Sequence, residues 1–498
     1  MLTRFLFPII TILSLVWPAS GPSSAIGNQV EPAALPESEQ VEFSVEFFPG
    51  SPHYVGDVLS ARITYTGEGD MGGQEIQIAL ADEPEQVLDT ASFSRFTNQA
   101  IFYWFLNTEN FRPGHLRFTL EIPETNEKWG TGLNLLPNPD WREGAWDSVH
   151  TLCCTLHYIT GTDSANDLLK LQQIVDERSA EALAQFFPDD PPDVSFFEEP
   201  LGVVLVPIVV GHGGFARDEA VMTYTERNWA GIDFEILVHH EIVHVIDRRV
   251  NTEGPRPSLL VEGIAVYYSG GHYRQGDPML RAAALLEMDM YLPLTEITDD
   301  FYAAQHEIGY MQAAALVAYL EGILGREGYL DFYFNLPEGE SPTAIISAGL
   351  EAYLGMDLAA VETEFIAYLE TLEPDDGIKD DVRLTVAVYD MLRRYQTIVF
   401  PSAHFRTAWW PPIEPMREAG IVGDYAFREK SPFDIIIENL FLEIHTSFET
   451  GDYLLIENNL AIIDDYLTTI ETGNRPFSHY AIGWPLPKLP ALPPHPGR

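Results

Sequence analysis

The sequence predicts a multidomain α+β chain: an N-terminal β-sandwich, a central α+β lobe and a C-terminal, mostly α-helical region. Three observations predict it. Residues 41–136 alternate apolar and polar side chains between turns, beginning Val41-Glu42-Phe43-Ser44-Val45-Glu46-Phe47, the period-2 pattern of half-buried strands. Residues 138–372 combine a β-branched run at 202–210 with several stretches of helical spacing. Beyond Glu373-Pro374-Asp375-Asp376-Gly377 helical spacing dominates, as in Val382, Leu384, Val386, Val388 and Leu392.

Residues 1–25 read as a secretory signal peptide, with Arg4 as the positive region, 5–16 as the apolar region and small residues up to Ala25. No Cys follows closely, and no second apolar stretch of spanning length is expected, so the chain reads as exported and soluble. A polar linker, 26–40, leads to the sandwich at 41–137. Turns such as Gly67-Glu68-Gly69-Asp70 and Arg112-Pro113-Gly114 make it immunoglobulin-like in size. Pro137-Asn138-Pro139-Asp140 marks its end.

In the central region, 138–372, residues 150–158 read as a strand, 164–187 as a helix, 202–210 as a second strand, Gly211-His212-Gly213-Gly214 as a turn and 220–225 as a third strand. Residues 373–484 form the helical region, with 433–444 and 453–470 as an antiparallel pair around Gly451-Asp452, read as a cap on the central lobe. An irregular aromatic stretch, 401–415, interrupts it, and 485–498 is a Pro-rich tail.

The 498 residues carry 28 Lys+Arg against 75 Asp+Glu, a net charge of −47. That field repels phosphate backbones and anionic membranes, which excludes nucleic acid as a partner. The two cysteines are adjacent, Cys153-Cys154. Bridge geometry disfavours a vicinal disulfide, so they read as buried small apolar residues on a strand.

The chemistry concentrates at His240-Glu241-Ile242-Val243-His244, an HExxH sequence inside the helical periodicity of 234–250. Residues four apart share a helix face, so both imidazoles can reach one metal ion, and Glu241 can take a proton from water beside it. Two neutral nitrogens at this spacing suit Zn²⁺, which activates water near neutral pH. The alternative is a helix that merely carries two histidines. The apolar flanks Ile236, Leu237, Val238, Val245 and Ile246 speak for burial, where an imidazole needs a partner. Seventeen residues separate His244 from Glu262, a carboxylate in the apolar segment Leu259-Leu260-Val261-Glu262-Gly263-Ile264-Ala265. A buried unpaired carboxylate is costly, and a metal is the best partner for it.

With that pairing the chain resembles the gluzincin zinc metallopeptidases of the peptidase MA-like group, which join HExxH to a later P-x-W-L-x-E-G-x-A segment. Here the segment is Pro257-Ser258-Leu259-Leu260-Val261-Glu262-Gly263-Ile264-Ala265, with Leu259 in place of the usual Trp. The resemblance covers about residues 147–372. It implies a zincin-like catalytic domain, His240, His244 and Glu262 as zinc ligands, Glu241 as general base and acid, and a peptide or protein substrate. It also implies that the strand before the zinc helix is the edge that binds extended substrate.

Tyr310, at the start of the later helix, corresponds to a family Tyr that stabilises the oxyanion; its other reading is a packing tyrosine. Asp247 reads as a partner of Arg248 or Arg249, or else as an orienter of a ligand imidazole. His212 and His239 lack ligand spacing and are left out. Related aminopeptidases of the alanyl type carry a G-x-M-E-N segment before HExxH to hold the substrate amine; none stands here, and Glu219 is the one Glu in 213–224, so an endopeptidase is favoured and a zinc aminopeptidase is the alternative within the class. An idle zincin-fold binding protein is the alternative outside it.

Overall fold

A computed structural model describes residues 43–398, 413–422 and 432–472, apart from 68, 95–97, 139–143, 194, 226 and 252–253. The signal, the linker, the aromatic stretch 401–412 and the Pro-rich tail lie outside the described residues. Among the described residues the chain is a mixed α+β protein with three sheets.

The N-terminal strands are β1 (Phe43–Phe48), β2 (His53–Tyr54), β3 (Val58–Tyr65), β4 (Glu75–Leu80), β5 (Val87–Ser92), β6 (Gln99–Asn107), β7 (Gly114–Ile122) and β8 (Glu127–Leu136). They form a three-stranded sheet, β1-β3-β6, and a five-stranded sheet, β2-β8-β7-β4-β5. Leu59, Ala61, Ile63 and Phe102 of the first and Ile76, Ile78, Phe118 and Leu120 of the second share one buried core. The alternation along β3 and β7 puts these residues on one face, as period 2 demands.

The third sheet has the order β12-β13-β11-β10-β9, built from β9 (Trp146–His150), β10 (Cys154–Ile159), β11 (Leu201–Val206), β12 (Gly214–Ala216) and β13 (Glu219–Thr223). β11 runs parallel to β10 and to β13, so it is covered on both faces. Val203 and Leu205 enter the large core under the helices, while Val204 and Val206 enter a second cluster on the opposite face.

Two expectations change here. The segment 150–158 is not one strand but the hairpin β9–β10, turning at Thr151–Cys153, and its two cysteines are joined as a disulfide, buried against Ser179. β13, the strand just before the HExxH helix, is paired on both sides. The free edge is β12, part of which reads as a turn in sequence because glycines at 211, 213 and 214 mask its three-residue pairing.

The helices are α1 (Asp163–Asn166), α2 (Leu168–Phe186), α3 (Phe234–Val250), α4 (Ser258–Ser269), α5 (Pro278–Glu287), α6 (Leu294–Asp299), α7 (His306–Phe334), α8 (Pro342–Leu354), α9 (Leu358–Leu369), α10 (Asp376–Ile398), α11 (Ile413–Glu418), α12 (Pro432–Thr450) and α13 (Tyr453–Glu471). α3 starts where Asp233 caps the amides of Glu235 and Ile236 at 2.8 and 3.3 Å. It ends with Arg248 and Arg249 against the negative end of its dipole.

α4 packs against both α3 and α7. Gly263 allows this approach: a Cβ there would stand 2.6 Å from the Ala313 carbonyl oxygen. α7 is long and apolar enough to cross a membrane by length and composition, contrary to the expectation of no second such stretch, and most of it is buried as the core helix. The helix pair α12–α13 packs on α10, and all three contribute to the core that holds α3, α4 and α7. α11 covers the far face of the third sheet, where Arg417 bonds Glu219 at 2.6 and 2.7 Å.

Candidate functional site

α3 is buried from Ile236 to Asp247, and its HExxH residues form the floor of a cavity of about 610 Å³. His240 and His244, one turn apart, place their Nε2 atoms 3.0 Å from each other. Glu262 on α4 brings its Oε2 to 3.1 Å from His244 Nε2 and 3.5 Å from His240 Nε2. The three donor atoms converge on one point and can hold a metal ion. All three residues are buried. Tyr302 donates to the other Glu262 oxygen, Oε1, at 2.7 Å.

Electrostatics follow the geometry. Burial pulls His240 down to about 3, so it is a neutral imidazole. Burial also acts against a charge on His244, but the Glu262 carboxylate beside it wins and raises it. Glu262 is held well below the ordinary carboxylate range in spite of burial, chiefly by His244. The trio is therefore a Glu262–His244 ion pair beside a neutral His240.

Glu241 points into the same cavity. Burial pushes its carboxyl up to about 8, and its Oε2 has no hydrogen-bond partner among the described residues. Its Oε1 lies over Gly214 of β12, 3.0 Å from where a Cβ would be.

Tyr310 lies where the sequence places it, on the cavity wall, with its ring 6.2 Å from that of His240. It is also packed, stacked on His272 at 4.1 Å. Burial raises its hydroxyl well above 10, which keeps it a donor at neutral pH.

His239 turns away, toward Gln185 Oε1 at 3.0 Å, as its offset by one position requires. Asp247 departs from expectation. It is fully buried and accepts from Tyr333 at 2.9 Å and from Arg256, not from Arg248 or Arg249. The neighbouring arginines follow on the exposed side of the helix end, while Arg256 reaches back from the loop before α4.

Several cavity residues carry no sequence signal. His212 lies on the wall, bonded to Tyr389 and 4.0 Å from the His306 ring. His272, His306 and Glu307 form a second group of donors with ligand-type spacing. In it, His272 Nδ1 and Glu307 Oε1 already satisfy each other at 2.7 Å. Tyr389, Asp390 and Arg393 come from α10, so the C-terminal region builds part of the wall. Only a helical periodicity marks α10 in sequence, and periodicity says nothing about which cavity a helix will border. Comparison with protein-family models, with curated proteins and with solved structures finds no match to this chain.

Proposed function

We propose that the chain is an exported, zinc-dependent metallopeptidase of gluzincin type, with a zincin-like central lobe behind an immunoglobulin-like sandwich. The observation that carries this reading is the convergence of His240, His244 and Glu262 at the floor of an open cavity, with an unpartnered Glu241 oxygen beside them. The donor set fits Zn²⁺. Two imidazole nitrogens and one carboxylate are a catalytic ligand set that leaves a position open. A divalent cation would balance the buried Glu262 carboxylate and accept a lone pair from each imidazole. Zinc held there supplies a Lewis acid for water and for the scissile carbonyl.

The chain's own groups supply the rest. Glu241, positioned over Gly214, takes the proton of the attacking water and passes it to the leaving amine. Tyr310 offers its hydroxyl to the carbonyl oxygen as charge develops there. β12 borders the cavity through Gly214, Phe215 and Ala216, and as a sheet edge it gives an extended peptide backbone groups to pair with.

An aminopeptidase would need a carboxylate for the substrate amine. Glu219 is bonded to Arg417 and faces α11, outside the cavity lining, so it does not serve that role. Export rests on Arg4, the apolar run 5–16 and the small residues up to Ala25, and the joined Cys153–Cys154 pair agrees with an oxidising compartment.

The test is digestion of an unfolded, mixed-sequence protein by the zinc-loaded chain, with Glu241→Gln alongside. The variant should bind zinc as the parent does and lose on the order of 10²-fold or more of the turnover. Undiminished cleavage by the variant would end the mechanism.

A further inference from the structure

The cavity has a wall that hydrolysis at the floor does not use. Arg393 of α10 borders it, although the chain carries far more acids than bases. Its Nη1 donates to Gln396 Oε1 at 3.0 Å, and no carboxylate among the described residues lies within ion-pair distance. Asp390, one turn earlier and also on the cavity, takes Gln305 at 3.0 Å instead.

His306 lines the same cavity as Arg393, stacked on Tyr389 at 4.5 Å, with a buried Nε2 that has no hydrogen-bond partner among the described residues. A half-buried guanidinium with no carboxylate partner among the described residues, on the same cavity wall as an unsatisfied imidazole nitrogen, is a site for an anion from outside. A carboxylate fits best, because its two oxygens can take the guanidinium N–H groups that Gln396 leaves over and an imidazole N–H.

We propose that Arg393 and His306 form a subsite that binds a carboxylate of the substrate, so that the peptides this enzyme prefers are acidic. The carboxylate is an Asp or Glu side chain near the scissile bond, or the free end of a short peptide. This rests on the peptidase reading, and it makes the C-terminal helical region a determinant of specificity.

The experiment uses a mixed-sequence peptide library in four forms: with or without Asp and Glu, each with a free or an amidated terminus. Cleavage by the zinc-loaded chain is compared with that by Arg393→Met and Arg393→Lys. Binding of the same fluorescently labelled libraries to zinc-loaded Glu241→Gln is measured in parallel.

The parent should prefer a carboxylate-bearing form by about tenfold or more, the return expected of a charge-assisted hydrogen bond. Arg393→Met should collapse that ratio and Arg393→Lys restore part of it. Which form is preferred separates side-chain from terminal carboxylate. Equal cleavage of all forms, or a parallel loss on all forms in Arg393→Met, overturns the subsite and leaves the peptidase intact. Binding that favours carboxylates without any cleavage keeps the subsite and ends the peptidase reading. Neither cleavage nor selective binding overturns both.

Discussion

Glu262 is pulled at both oxygens: Oε2 faces the two imidazoles and Oε1 accepts from Tyr302. The second bond fixes the rotation of a carboxylate that has one productive orientation, which is how outer partners of metal ligands act. Tyr302→Phe should keep the fold and weaken zinc binding about 10- to 100-fold, read by competition with a chelator. Unchanged affinity would show the bond to be idle. At this scale the sequence is informative where chemistry is local. His240, Glu241 and His244 are legible because one helix turn brings both imidazoles to one face, and Glu262 because a carboxylate in an apolar run needs a reason. Tyr302 has no such signature, since its role depends on where the short 3₁₀ turn Phe301–Ala303 comes to rest near α4. Asp247 shows the opposite limit: two arginines follow it directly, yet burial hands it to Arg256 and Tyr333.

Placement of α4 against α7 rests on contact closer than a methyl group permits. Gly263 adjoins the candidate ligand Glu262, and a Cβ on it would meet the Ala313 carbonyl and Val317. Gly263→Ala should therefore move α4 outward, cost about 1–3 kcal/mol in a denaturant titration and loosen the metal site. A variant with parental stability and zinc affinity would refute this account of the glycine. Helices α3 and α4 are legible in the sequence because caps, breakers and apolar stripes agree with each other. β12 is not, because three residues that begin with a glycine carry no period, and its strand character comes from pairing with β13. The cavity wall is hidden for a similar reason: His212, His272, His306, Tyr389 and Arg393 come from separate segments that only tertiary packing assembles.

Across the whole molecule, the helical region is tied to the central lobe by buried polar contacts as well as by the core. His445 of α12 bonds Tyr273 at 2.6 Å and the Trp229 carbonyl at 3.0 Å, and its ring lies where a Cβ on Gly231 would stand. Burial pulls His445 down to about 4. The unfolded chain takes up a proton there as pH falls through about 6.5, while the folded chain refuses it until about 4, so stability falls across that window. The loss should approach about 3 kcal/mol at the lower end. Urea unfolding between pH 7.5 and 4 should show a steeper decline for the parent than for His445→Gln, and parallel curves would exclude His445 as a source. The third sheet carries a longer-range dependence. Its outer valines, Val204, Val206 and Val221, are covered by Ile413, Met416 and Ile421, and Trp146 and Glu219 bond partners 275 and 198 positions later. The two-sheet core, by contrast, closes within its own stretch of chain. During synthesis at about 5–20 residues per second, the interval between strand and cover is on the order of ten seconds or more. For that time the nascent chain has only Phe48, Val58 and Trp104 of the sandwich to set against this apolar face, and a chain interrupted before α11 would leave part of it bare and prone to clump.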